Sequence, residues 1–409
     1  MKVLLSAFYC LPNVGSDSAV GWNWAREIAA RGHQVFVITR AVNRNAIEVA
    51  LSKDPISNLH FLFHDLSPTA QLCAHRPFVS YVYYLLWQFT AARVALEAHS
   101  SEHFDLVQHV TMASFRLPTF MWKLGIPLIF GPVGGGEDTP RALRRGLGLR
   151  GRLWDWPRRL SNFLVPFDPM MKATFSYASQ IVVTTNETLR ELPSGYRAKT
   201  RVQSTIGIDP EGFQPPNHAT ASPGSARLNL LFAGRLLPWK GLHLGLRAMA
   251  GLGSEIKKVH LTVIGSGSDE TRLKRLAQHL NIEQFVTWIP WMDRKDLIHF
   301  YSRFNLFLFP SLHDSGGLAV LEAMNFGVPV LCLDLGGPAM SVDDSCGRVI
   351  STEKQTEEEV VRRMSDCLSA LLSNRSTLDS LSKAARVRAA SLTWQAVVAR
   401  TYDSFPASQ

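Results

Sequence analysis

The sequence predicts an α/β chain folded as two halves, each a parallel sheet wound with helices. Three observations carry this. Short apolar runs rich in β-branched and aromatic residues recur along the chain, many followed by a glycine-bearing loop and then a helix-period segment. A Pro/Ser/Gly-rich stretch, Gln214 to Ser225, interrupts that alternation, and the pattern restarts at Leu228. Finally, Leu306-Phe-Leu-Phe309, the turn Ser315-Gly316-Gly317, a helical segment ended by Gly327 and Pro329, and Val330-Leu-Cys-Leu333 form one strand–turn–helix–strand unit.

In the first half, residues 2–8 read as a strand, Pro12 to Gly21 as the following loop, Trp22 to Arg31 as a helix, and Val35 to Thr39 as the second strand. This is a Rossmann-like opening without Gly-x-Gly-x-x-Gly, so a dinucleotide cofactor is not expected. Residues 77–96 form a long aromatic-rich helix whose stripe is expected in the core. Asp105 to Thr111 is an apolar strand carrying His109, and Pro127 to Glu137 is a strand followed by a glycine-rich loop. Ala178 to Thr185 reads as the last strand of this half.

Residues 141–159 are the most biased stretch. Arg141, Arg144, Arg145, Arg150, Arg152, Arg158 and Arg159 alternate with Leu143, Leu147, Leu149, Leu153, Trp154 and Trp156, and within the stretch only Asp155 opposes them. Cations bind lipid phosphates while apolar side chains enter the interface, so the stretch Arg141–Arg159 predicts contact with an anionic membrane surface. No nucleic-acid module accompanies it, and nucleic acid is not an expected partner.

In the second half, Leu228 to Gly241 is a strand followed by two cations, Arg235 and Lys240. His260 to Gly267 is the next strand and loop, and Val286 to Pro290 a further strand. After Leu306–Phe309, the N–H groups of the Ser315-Gly-Gly turn and the positive end of the helix that Leu318 opens suit an anion such as a diphosphate. Asp314 precedes the turn and Glu322 lies within the helix, so two carboxylates flank the seat. Leu392 to Tyr402 is a closing helix with Trp394 as its anchor.

Composition adds bounds. At 409 residues with 46% hydrophobic and 19% charged content, the chain has ample core for two or three domains. Its five cysteines show no metal spacing and fit buried thiols in a reducing compartment. The N-terminal apolar run reads as a strand rather than a leader, and no run reaches the roughly 20 apolar residues of a spanning helix. A cytoplasmic location, free or peripheral on the inner face of the membrane, is expected. The stretch 141–159 supplies most of the net charge of +9.

Taken together, the Gly-Arg…Lys-Gly segment at 234–241, the Asp314…Glu322 pair with seven residues between them around a glycine turn, and Ser204-Thr-Ile-Gly-Ile-Asp209 before the linker resemble retaining GT-B glycosyltransferases of family 4 (group 1). The resemblance implies two Rossmann-like domains facing across a cleft: residues 1–210 for the acceptor, closed by a helix at 392–405, and residues 211–391 for a nucleotide-diphosphate sugar. It implies that Arg235 and Lys240 hold the diphosphate, that Glu322 holds the ribose, and that Asp314, Ser315, Gly316, Gly317 and Leu318 hold the sugar. It places Ile289 against the base, the loop at Gly15 and Ser16 near the donor phosphate or the acceptor, and His109 beside the sugar. Asp314 stands where the family has Glu, one methylene shorter. No metal and no cofactor is implied. The expected activity is hexosyl transfer with retention to a glycan or lipid-linked acceptor, in cell-surface polysaccharide or glycolipid biosynthesis. Two alternatives stay open: a non-catalytic nucleotide-sugar-binding or membrane-scaffold protein, and a GT-B nucleotide-sugar epimerase.

Overall fold

The structure is a computed structural model describing residues 1–12, 17–67, 77–209 and 227–405. Its internal contacts divide the chain into two compact units. The first comprises Met1–Gly136, Leu160–Ile206 and Trp394–Gln409, and the second Glu137–Arg159 and Gly207–Thr393.

The first unit holds a seven-stranded parallel sheet of β1 (Lys2–Ser6), β2 (Gln34–Arg40), β3 (Leu59–His64), β4 (Leu106–His109), β5 (Leu128–Val133), β6 (Gln180–Val183) and β7 (Thr200–Val202), in the order β3-β2-β1-β4-β5-β6-β7. Most positions of β1, β2, β4, β5 and β6 are buried on both faces, as runs such as Val35-Phe-Val-Ile require when helices cover both sides. The helix Pro77–Glu102 buries Tyr83, Tyr84, Trp87, Ala91, Ala92 and Ala95, so these members of its aromatic stripe are core, while Tyr81 is exposed. Phe8 meets the Tyr84 and Trp87 rings edge-on at 5.3 and 5.0 Å. The closing helix Trp394–Asp403 is tied down by Gln203, whose side-chain amide donates to Val397 O at 2.6 Å, and by Tyr402, whose hydroxyl donates to Gln108 Oε1 at 2.9 Å.

The second unit holds a six-stranded parallel sheet: β8 (Leu228–Ala233), β9 (Val259–Ile264), β10 (Val286–Ile289), β11 (Leu306–Phe309), β12 (Val330–Leu333) and β13 (Gly347–Ile350), in the order β10-β9-β8-β11-β12-β13. One face packs Leu230, Phe232, Leu244, Leu261, Leu308 and Leu331 together, and the other packs Leu231, Ile264, Tyr301, Phe307 and Val330. In each sheet the chain order reverses beside its first strand, between β1 and β4 and between β8 and β11. Connections leave in opposite directions there, opening a crevice at the carboxyl ends of the strands.

One expectation is corrected. The stretch 137–159, expected from the sequence with residues 1–210, groups with the second unit. The reason is apolar: Leu143 and Leu147, at 0% and 2% exposure, lie in the same core cluster as Leu236, Leu242 and Leu244. Neither side chain is available to a membrane.

Leu143→Ala should therefore lower the stability of the second unit by about 2–4 kcal/mol, the usual cost of truncating a buried leucine. Chemical denaturation measures this, and an unchanged midpoint would remove residues 137–159 from that core.

Candidate functional site

The carboxyl ends of β8 and β11 carry two loops that touch. The Leu312 N–H donates to Trp239 O at 2.8 Å. Gly241, at φ +69°, permits the approach, since a Cβ there would lie 1.8 Å from Pro310 O. The two motifs that the sequence separates by more than seventy residues thus share one strand-end crevice.

Arg235 is exposed on the β8 loop, and its guanidinium has no ion-pair partner among the described residues. Lys240 is half-buried; its ammonium pairs with the Asp314 carboxylate and lies 5.1 Å from the centroid of the Phe309 ring. Asp314 Oδ1 also accepts the Gly316 and Gly317 N–H groups at 3.3 and 3.2 Å. This corrects the expectation that those two donors are bare: the short Asp side chain folds back onto its own turn. The Leu318 and Ala319 N–H groups open the helix Leu318–Asn325 and find no acceptor among the described residues. Ser315 Oγ donates to Glu137 Oε2 at 2.7 Å.

Glu322 is 6% exposed, and both oxygens are engaged. Arg294 donates to Oε1 from Nε at 3.0 Å and from Nη2 at 2.8 Å, and the Tyr301 hydroxyl donates to Oε2 at 3.4 Å. Burial and the Glu322 charge hold the Tyr301 hydroxyl well above its usual pKa, so it stays a donor. Sequence reasoning missed Arg294 and Tyr301. The available signal was their spacing, two turns apart on one helix, Arg294–Tyr301, which places both on one face. It also missed His313, whose ring stacks on Trp239 with centroids 5.3 Å apart and whose Nε2 lies 3.7 Å from Asp155 Oδ1. Burial raises the Asp155 pKa. Ile289 ends β10, with its carbonyl accepting the Gly265 N–H at 2.8 Å. No group of three metal-ligating side chains is present among the described residues.

In the first unit, Gly15 and Ser16 lie outside the described residues. His109 ends β4 level with Ser6 of β1, at 0% exposure. Its ring stacks on Phe130 at 5.4 Å, Nε2 lies 3.4 Å from the Tyr84 hydroxyl, and Nδ1 has no hydrogen-bond partner among the described residues. Burial drives its pKa from 6.5 down to about 3, so the imidazole is neutral near pH 7. The unfolded chain then takes up a proton below about 6.5 that the fold refuses. Stability is full above that pH and declines as pH falls toward about 3, by about 1.4 kcal/mol per unit. Urea midpoints measured from pH 7.5 to 5 should fall less steeply for His109→Gln than for the native chain; equal slopes would show that His109 titrates normally.

Residues 20–211 match the family described as "Glycosyltransferase Family 4", and residues 221–388 match "Glycosyl transferases group 1". A D-inositol 3-phosphate glycosyltransferase of Geodermatophilus obscurus is 26% identical over 97% of this chain and 86% of that protein. Another, from Arthrobacter sp., is 27% identical over 56% of each, so this match spans about half the length of the relative. Among solved structures, sucrose-phosphate synthase of Thermosynechococcus elongatus superposes with a TM-score of 0.66 at 19% identity, covering 98% of this chain and 97% of that one. HepE of Anabaena, solved in complex with UDP, gives 0.62 at 14% identity, covering 99% and 100%. Two doubly wound parallel sheets, cations and carboxylates gathered at a strand-end crevice, and two family matches that together take in most of the chain lead to one assignment: it belongs to the family 4, group 1 glycosyltransferases and has their GT-B fold.

Proposed function

We propose that this chain transfers a hexose from a nucleotide-diphosphate sugar to a glycan or lipid-linked acceptor, without a metal and with retention of anomeric configuration. The observation that carries the reading is the convergence of Arg235, Lys240, Asp314 and the open helix N-terminus at Leu318 on the switch-point crevice of the second sheet. As the bond from sugar to diphosphate breaks, negative charge grows on the leaving oxygen. Arg235, an unpaired cation, and Lys240 stabilise that charge, and the free N–H groups at the helix start add to it. The leaving phosphate oxygen takes the proton of the acceptor hydroxyl on the same face of the sugar, which gives retention. Glu322 accepts the ribose hydroxyls on the lone pairs that Arg294 and Tyr301 leave. Asp314, released from Lys240 by the incoming diphosphate, turns to a sugar hydroxyl. His109 is the candidate of the first unit, with Nδ1 as the nitrogen open to a partner.

The relatives supply the first compounds to try: UDP-sugars, after the UDP held by a solved neighbour, and D-inositol 3-phosphate as acceptor, after the relatives' names. GDP-mannose completes the donor panel.

Thermal shift and donor hydrolysis across that panel, for the native chain and Arg235→Ala, test the reading. One donor should raise the melting temperature and be slowly hydrolysed, and Arg235→Ala should cut turnover by about 10²–10³-fold. If no nucleotide sugar stabilises the fold, the transferase reading fails. Stabilisation without hydrolysis would favour the binding-only alternative, above all if Asp314→Glu gained turnover.

A further inference from the structure

The biased stretch 141–159 is not a uniform cationic face. Arg144 donates to Asp138 and to Thr139 O, Arg159 pairs with Asp138 at 3.3 Å, and Arg158 pairs with Glu137. Leu143 and Leu147 are core. What remains outward is specific. Arg141 and Arg145 are exposed, with no partner among the described residues. With Arg144, Leu147, Leu153, Asp155, Trp156 and Arg159 they line a cavity of about 540 Å³, in which Asp155 is the one carboxylate among the described residues. Two of its four guanidiniums are therefore fixed by a carboxylate and two are free. Beside the buried Leu147, its exposed apolar walls are Leu153 and Trp156, at 72% and 62% exposure.

We propose that this face docks on a lipid bilayer containing anionic phospholipids, with Arg141 and Arg145 on the phosphates and Leu153 and Trp156 entering the interface. The helix Gly148–Leu164 supports a surface rather than a point site. Its exposed apolar residues continue from Leu153 and Trp156 to Leu160, Phe163 and Leu164. Their three- and four-residue spacing makes one stripe along the helix. A free phosphate would use the guanidiniums and leave that stripe without purpose. A bilayer satisfies both, since cationic side chains meet headgroups while Trp and Leu sit at their depth. No described helix is long and apolar enough to cross a membrane, and docking on the surface requires none.

Flotation of the full chain with vesicles tests this independently of any transferase activity. Vesicles of phosphatidylcholine and phosphatidylglycerol in equal parts should bind it, and phosphatidylcholine alone should bind far less. The double variant Arg141→Gln/Arg145→Gln should bind roughly thirtyfold more weakly. Leu153→Ser/Trp156→Ser should also weaken binding, and both pairs are exposed enough to leave the melting temperature unchanged. Millimolar inorganic phosphate should not displace the vesicles. Absence of binding to anionic vesicles, binding of either folded variant equal to the native chain, or full displacement by inorganic phosphate would each overturn the proposal. The last result would assign the cavity to a soluble phosphate.

Discussion

The second unit depends on a backbone contact between the loops after β8 and β11. Gly241 lets one loop lie against Pro310 of the other, and the Leu312 N–H closes the contact on Trp239 O. A side chain at 241 would hold the loops apart and separate Lys240 from Asp314. Each loop leaves a buried parallel strand, with only Asn229 of β8 partly exposed, so the contact is anchored where the cations and the helix N-terminus are held. The switch point supplies the crevice and the glycine supplies the closeness.

Around that contact, charge is arranged in pairs. Asp314 holds Lys240 and its own turn, Arg294 and Tyr301 hold Glu322, and Arg158 and Ser315 meet Glu137. A carboxylate buried as deeply as Glu322 is costly without partners, and here every oxygen has one. Arg235 alone of the expected site residues is an exposed, unpaired charge. An anionic ligand in this crevice would meet that cation first, and at Lys240 it would exchange one ion pair for another. The same pairing divides the arginine-rich stretch. Arginines that face Glu137 and Asp138 serve the fold, and among the described side chains of the stretch Arg141 and Arg145 are exposed and unpaired.

Sequence reasoning located the parts of the site that are local. The β11 strand, its glycine turn and Glu322 lie within one βαβ unit, so their spacing carries their geometry. The cations after β8 were legible for the same reason. Arg294 was not, because its relation to Glu322 depends on how a neighbouring helix is laid on the sheet. His109 was expected at a strand end and lies at the end of β4, but its complete burial against Phe130 and Tyr84 depends on packing by other segments.

By itself the sequence determined the class of fold, the two parallel sheets, the order of motifs and the residues at the strand ends, since periodicity and turn chemistry act over a few residues. Tertiary structure alone decided which side chains are spent on one another. It placed Leu143 and Leu147 in the core of the second unit, turned Asp314 onto Lys240 and its own turn, and left Arg235 unpaired. Pairing and burial of this kind join residues far apart in the chain, and composition along a single stretch does not carry them.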